Sequence, residues 1–363
     1  MGKDATEKVI ALVPAHNEAN CIERTIFSLI NQTHSYVDVL VISDNSTDNT
    51  VDLVKKIMET HNNVNLIETV NNTHKKAGAL NQGYKYLSER LNEYRFVLSI
   101  DGDTIMADNV IEQGITEFYL NDKLGSVCSR SGVMDQKTNS FLEKYIYHVQ
   151  HLEYGDFDRD RIGQNKRVRV AHGMCSLFKV KSIQDVIKRR EINGEGYCVY
   201  RVTNIIEDFE LTVTLRELGY QVTCGFGMYA WTEVPLTIKS LWRQRIRWYR
   251  GGIDTIREHG VSKVTILDTF DHVVFWLVFL SQLLLLKWSI EGVYIDNSIN
   301  LSVFIFMLLY ANGVYTLRYV QNPTKWDYAI RLTYIPHAIY TTYTALELLY
   351  SYFASFFNLK QEW

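Results

Sequence analysis

The residues best placed to do chemistry in this chain are two carboxylates one position apart, Asp101 and Asp103, directly after the apolar run Phe96-Val-Leu-Ser-Ile100. The run predicts a strand buried on both faces, as strands of parallel sheets are. The two acids then stand where that strand leaves the sheet, the edge at which open α/β sheets bind ligands. With Gly102 between them allowing a tight bend, both could reach one hard cation. Mg²⁺ or Mn²⁺ takes oxygen ligands of this kind, which makes a clamp on a pyrophosphate. A polar turn after a strand reads the same way, so the pair alone decides nothing.

The elements that must position these acids follow from the flanking pattern. Val9 to Val13 predicts a first buried strand, followed by the loop Pro14-Ala-His16-Asn-Glu18. Asn20 is a candidate cap for a helix running to about Gln32. Asp38 to Ile42 predicts a second strand, followed by turn chemistry from Ser43 to Asp48, with Asp48 placed to cap the next helix. Val64 to Ile67 is a short third strand, and Lys75-Lys76-Ala-Gly78 opens a further helix. Strand and helix thus alternate from Val9 to about Asn121, which calls for a doubly wound α/β sheet with right-handed crossovers. No Gly-rich dinucleotide fingerprint follows the first strand.

Beyond Ser131 the pattern blurs. Tyr145 to Tyr154 reads as a helix lining a cleft, Arg159 to Arg169 as a charged loop, and Val170 to Phe178 as a strand interrupted at Gly173. Glu207-Asp208 leads into a helix ended by Gly219, and Gln221 to Cys224 reads as a strand. Thr237 to Glu258 predicts a basic, partly aromatic helix of the type that lies on membrane faces. It places Gln244, Arg247 and Trp248 on one face through i, i+3 and i+4 spacing.

Composition sets bounds. The chain has 363 residues and a formal charge of -3, so no global basic field points to nucleic acid. Its 5 cysteines are scattered, without a C-x-x-C pair, which argues against a disulfide framework or zinc site and for a reducing compartment. The polar start, Met1 to Lys8, lacks the apolar core of a signal peptide. Phe270 to Ile290 and Ile299 to Val320 are apolar runs near the roughly 20 residues that span a bilayer. Leu332 to Phe357 is a third candidate, open also to an interfacial hairpin or a helix packed on the rest of the protein. Lys and Arg crowd Thr237 to Lys263 and recur at Arg318, Lys325 and Arg331, while the loop from Glu291 to Ser298 has none. The positive-inside rule then puts the N-terminal part in the cytoplasm.

The order Val-Pro-Ala-His-Asn-Glu, Ser-Asp-Asn-Ser-Thr-Asp, Lys-Ala-Gly-Ala-Leu-Asn, Asp-Gly-Asp, Glu-Asp and Gln-Arg-Ile-Arg-Trp resembles the family 2 glycosyltransferases. Within them it is similar to the membrane-bound inverting branch that includes cellulose, chitin and hyaluronan synthases. The resemblance covers about Val9 to Gly251. It implies a GT-A-like mixed sheet in a cytoplasmic catalytic domain over 1–236, an interface helix over 237–268, and a membrane region over 269–363 with two or three transmembrane helices.

The resemblance also implies roles. Pro14, His16, Glu18 and Asp44 would hold the nucleoside, with Ser43 standing where the family often has a second acid. Lys76 and Gly78 match a nucleotide-contacting segment, and a lysine at a helix start suits a phosphate. Asp101 would contact the nucleotide, and Asp103 would ligate the Mg²⁺ or Mn²⁺. Asp208 would be the general base, since a sugar hydroxyl attacks faster when a carboxylate accepts its proton. Arg247 would hold a diphosphate through its planar fork and Trp248 would stack on a sugar ring, with Gln244 orienting an oxygen. His172, Gly173 and Cys175 match a segment near the acceptor, although a core histidine fits His172 equally. The expected reaction takes a UDP-sugar to a saccharide or lipid-linked acceptor at a membrane, forming β-glycosidic bonds, with processive addition suggested. The rival expectation is a sugar-nucleotide-binding membrane protein without turnover.

Overall fold

The computed structural model describes residues 7–290, 307–308 and 310–359. An eight-stranded mixed sheet runs in the order β3-β2-β1-β4-β7-β6-β8-β5. Its first half is parallel: β1 (Val9–Ala15) lies between β2 (Val37–Ser43) and β4 (Phe96–Ile100), with β3 (Val64–Glu68) outside β2. Strand residues alternate between two cores, so both faces of these strands are apolar. Val9, Ala11 and Val13 pack with α1 (Ile22–Ile30), α2 (Thr50–Met58) and α4 (Val110–Leu120). Ile10 and Leu12 pack on the other side with α3 (Lys75–Tyr86), α6 (Val180–Ile192) and α7 (Glu207–Glu217).

Strand order reverses at β1. The chain moves outward through β2 and β3, then returns to β4 on the other side of β1. The loops after β1 and β4 therefore diverge and leave a gap at their carboxyl ends, where such sheets take ligands. β5 (Thr104–Met106), β6 (Leu124–Val133), β7 (Cys175–Lys179) and β8 (Gln221–Thr232) complete the sheet. β7 is antiparallel to β4, with Cys175 opposite Ile100, so the segment entering β7 lies beside the acids leaving β4.

Several boundaries differ from expectation. The first helix starts at Ile22 with no side-chain cap, so Asn20 does not cap it, whereas Asp48 accepts the Thr50 N–H at 3.0 Å at the start of α2. The cleft helix is longer than expected: α5 spans Phe141–Gln164 and takes in half of the stretch read as loop. Of the expected Val170–Phe178 strand only the second half is strand, within β7, which runs Cys175–Lys179.

The C-terminal part departs most. α8 (Ile238–His259) is the expected helix, capped by Thr237, whose hydroxyl accepts the Ser240 N–H at 3.2 Å. It does not present a wholly open basic face. Arg245 is buried, and Arg250 and Arg257 donate to the carbonyls of Leu359 and Ser355 at the end of the last described helix. Phe270 to Ile290 falls within α9 (Ile266–Ile290), but among the described residues no helix is long and apolar enough to cross a membrane. Charge ties the start of α9 to the segment before β7, with Asp268 3.3 Å from Arg169 and Asp271 also paired to it. The loop Glu291 to Ser298 lies outside the described residues, as do 299–306 and 309 of the expected run Ile299 to Val320; its described part is helical over 310–316 and ends in a 3₁₀ turn, Leu317–Tyr319.

The third expected span is corrected for a clear reason. It forms the end of α10 (Lys325–Thr333) and α11 (Ile335–Phe356), and these pack on α5 and α8. Ile146, Val149, Leu152, Leu241, Ile330 and Tyr340 share a small core. Around it are buried polar links: His148 and His151 to Asp327 at 2.9 and 3.1 Å, and Asp156 to Arg331 at 2.6 Å. His148, His151 and Asp327 are grouped closely enough to hold a metal. Asp327 also accepts the N–H and hydroxyl of Thr324 at 2.7 and 2.8 Å, closing a capping box, so its oxygens already have donors. The trio works as a polar staple between α5 and α10.

Candidate active site

The gap at the strand reversal opens into a cleft of about 970 Å³. Its walls carry Pro14, His16, Glu18, Asp44, Lys76, Asp101, Asp103, Asp208, Gln244, Arg247 and Trp248. These residues span more than two hundred positions of sequence, and the fold brings them to one place.

Gly78 does not line the cleft. A Cβ there would collide with the Asn72 side chain and with His74 Cβ, so this glycine lets the loop before α3 lie close on the helix. Asn72 and Thr73 of that loop do reach the cleft.

At the end of the cleft beside β1 and β2, His16 Nδ1 donates to the main-chain oxygen of Asp44 at 2.5 Å, which joins the loop after β1 to the end of β2. Asp44 Oδ1 accepts from Asn45 at 3.0 Å and from Thr69 and Asn72 at 2.8 Å each. Its carboxylate is thus held in one orientation.

At the centre sit the acids after β4. The chain turns tightly here as expected, with the Thr104 N–H donating to Asp101 O at 3.1 Å, and Gly102 does so without a positive φ. Gly102 also permits close approach, since a Cβ would lie 3.1 Å from both Pro14 O and Glu18 Cγ. Thr232 of β8 donates to Asp103 Oδ1 at 3.2 Å. Burial, with Asp101 adding repulsion, pushes the Asp103 carboxyl up to about 6. Burial, with Asp103 and Asp101, pushes Glu18 up to about 7. Crowded carboxylates that raise one another in this way form a hard oxygen donor set, which fits Mg²⁺ or Mn²⁺.

Opposite them lies Lys76 at the start of α3. Its ammonium pairs with Asp101 and stands 3.3 Å from Glu207. Burial works against its charge, but Asp101, Glu207 and Asp208 hold it firmly protonated.

Asp208 occupies the first turn of α7. Its Oδ2 accepts the Gly173 N–H at 3.0 Å and its Oδ1 the Phe209 N–H at 2.7 Å. Burial, then the neighbouring Glu207, raises its pKa, and Lys76 with the two N–H groups opposes the rise. A carboxylate raised in this way is a stronger proton acceptor than a solvated one. Glu207 faces Lys76 and so serves a different partner.

The remaining wall is aromatic. Trp248 meets Phe157 of α5 edge to face at 6.3 Å, and Phe157 meets Tyr154 at 5.8 Å. Tyr154, Phe157, Asn72, Thr232 and Glu233 line the cleft without having been singled out from sequence. Of these, only Tyr154 lay inside an element expected to face a cleft. His172 lines it too, and its Nε2 donates to Ser129 O at 2.8 Å, which fits the core reading of this ring as well.

A sheet with this reversal, its acids at the switch point and a covering helix layer defines a GT-A-like fold. The same fold is seen in the solved structure of a mannosyltransferase from Pyrobaculum calidifontis in complex with GDP-Man and Mn²⁺. The two align with a TM-score of 0.62 at 17% identity, over 99% of this chain and 90% of that one. Residues 10–187 match the sequence model of glycosyl transferase family 2, so the chain carries a domain of that family. Among curated relatives, the poly-beta-1,6-N-acetyl-D-glucosamine synthase of Staphylococcus aureus (strain MSSA476) is 30% identical over 260 residues, 70% of this chain and 56% of the relative. The synthase of the same name from Staphylococcus epidermidis is 28% identical over 257 residues, 69% of this chain and 56% of the relative. The chain thus spans a little over half the length of these relatives.

Proposed function

We propose that the protein transfers a sugar from a UDP-sugar to a saccharide or lipid-linked acceptor, with inversion, forming β-glycosidic bonds. One observation carries this reading: Asp103, Asp208 and Trp248, from three distant segments, line a single cleft of about 970 Å³, a size that suits a nucleotide-sugar and an acceptor ring.

In this reading Asp44 and His16 border the nucleoside, and Lys76 and Arg247 face the diphosphate. Asp103, with Glu18 near it, would hold Mg²⁺ or Mn²⁺, which when bound supplies positive charge to the departing diphosphate. Asp208 takes the proton of the acceptor hydroxyl as that oxygen attacks the anomeric carbon from the face opposite the leaving group. The hydrogen bonds from Gly173 and Phe209 fix the carboxylate for this. Trp248 and Phe157 give the acceptor an apolar surface on which to stack.

The names of the curated relatives favour N-acetylglucosamine as the donated sugar and a growing β-linked polymer as acceptor. Association with a membrane or another apolar surface is favoured by α9, which exposes Phe270, Val273, Leu277, Leu280 and Leu284. The cytoplasmic placement rests on the charge asymmetry of the sequence.

The test is UDP release by purified protein across UDP-sugars, with GDP-mannose as the competing donor and Mg²⁺ or Mn²⁺ supplied in turn. Release with UDP-N-acetylglucosamine and a product ladder supports the full reading. A single product restricts it to one addition. No release with any donor removes it.

A further inference from the structure

One cation of α8 never reaches the cleft, yet it touches two residues that do. Arg245 is fully buried. Its Nη2 pairs with Glu153 of α5, and the Tyr340 hydroxyl of α11 donates to the same carboxylate oxygen at 2.8 Å. Its Nη1 donates to Gln244 Oε1 at 2.6 Å, and its guanidinium carbon lies 4.2 Å from the centre of the Trp248 ring.

Two consequences follow from elementary chemistry. A guanidinium only donates hydrogen bonds, so the Gln244 amide turns its oxygen toward Arg245 and leaves its NH₂ for the cleft. The guanidinium also covers one face of the indole, so only the other face is open to a ligand. We propose that Arg245 is a positioning residue for the acceptor: it fixes Gln244 as a hydrogen-bond donor and Trp248 as a one-sided stacking surface. Glu153 and Tyr340 anchor it, so the acceptor wall is set from α5 and α11. The proposal rests on the transferase reading above. It adds that the wall recognises a ring bearing an oxygen acceptor for the Gln244 NH₂.

The test compares Arg245→Lys and Arg245→Met in the full chain. Lysine keeps the charge but cannot bond Glu153 and Gln244 through one planar fork. With UDP-N-acetylglucosamine as donor, each variant is expected to raise the KM for a β-1,6-linked N-acetylglucosamine oligosaccharide about tenfold, one lost hydrogen bond's equivalent. UDP affinity by calorimetry stays at the wild-type value, and the lysine variant still melts in one cooperative step, about 2–4 °C below the wild type. Should Arg245→Met fail to fold, Arg245→Lys carries the test.

An unchanged acceptor KM in a folded variant overturns the proposal, as does a loss of UDP affinity in step with it. Should the wild type release no UDP, the transferase reading fails, and quenching of tryptophan fluorescence by the same oligosaccharide still reads Arg245. Weaker quenching in Arg245→Lys then supports the positioning role, and equal or absent quenching in both proteins overturns it.

Discussion

Asp208 Oδ2 accepts the backbone N–H of Gly173 at 3.0 Å, which ties the first turn of α7 to the segment that enters β7 beside Asp101. Asp208→Asn keeps the size of this side chain and removes its basicity. Turnover should fall by about 10²- to 10⁴-fold, the usual worth of a positioned base. UDP binding, measured by calorimetry, should be unchanged. A cellular product that survives Asp208→Asn but not Asp103→Ala would instead identify a sugar-nucleotide-binding protein without turnover.

Asp103→Ala removes the acid proposed to hold the cation. The variant should show no cation-stimulated UDP binding and no turnover. Treating the wild type with EDTA should reproduce this state, and Mg²⁺ or Mn²⁺ should restore the wild type alone. A variant still stimulated by either ion would shift the role to Glu18 or Asp101.

Gly251 of α8 packs where a Cβ would collide with Ile206, two residues before Asp208. In Gly251→Ala either the Ile206 side chain or α8 must shift, which disturbs the contact between α8, carrying Trp248, and the start of α7, carrying Asp208. A destabilisation of about 1–3 kcal/mol, typical of overpacking, is expected, together with a drop in turnover. Gly163→Ala on α5 is the control. Nothing lies within 4 Å of a Cβ there, and the helix should gain about 0.5–1 kcal/mol. Urea melts of both variants check the pair.

His259, the last residue of α8, stands 3.2 Å from Glu210 and 2.8 Å from Glu217 of α7. Burial opposes its charge, but the hydrogen bonds its ring donates to these two carboxylates raise it from 6.5 to about 9. Glu210, which Arg190 also pairs, is held down to about 2 in spite of its burial. A raised histidine stabilises fully below its unfolded value, so this contribution should fade as pH rises from 6.5 through 9. A depressed carboxylate stabilises above its unfolded value of 4.5 and should lose that contribution as pH falls toward 2. Urea denaturation across pH should show both limbs. His259→Asn should remove the alkaline one and cost about 1–2 kcal/mol near neutrality, the range for a charged histidine at a helix end.

The parallel half of the sheet was legible because its strands are short apolar runs bounded by turn residues, and β4 falls on the predicted residues, Phe96–Ile100. β6 was not legible. Its sequence, Leu124-Gly-Ser-Val-Cys-Ser-Arg-Ser-Gly-Val, is small and polar, yet it is buried throughout. Asp158 of α5 explains this, accepting from Arg130 at 2.8 Å and from the Ser131 N–H at 2.7 Å. The same pairing hid the end of α5, whose charges read as a loop but bond across elements. Acids and aromatics in short ordered motifs could be found by eye. Phe157 and Glu233 could not, because nothing local marks them and only the packing of α5 and the end of β8 brings them to the cleft; Tyr154 was reached only as the last residue of the expected cleft helix.

The reversal of strand order at β1 has a consequence for how this molecule could vary. The opening between the loops after β1 and β4 is created by the path of the backbone, before any side chain is chosen. Exchanging the lining residues would therefore change what the cavity accepts while leaving a cavity there to be filled. Selectivity and architecture can drift separately in such a scaffold.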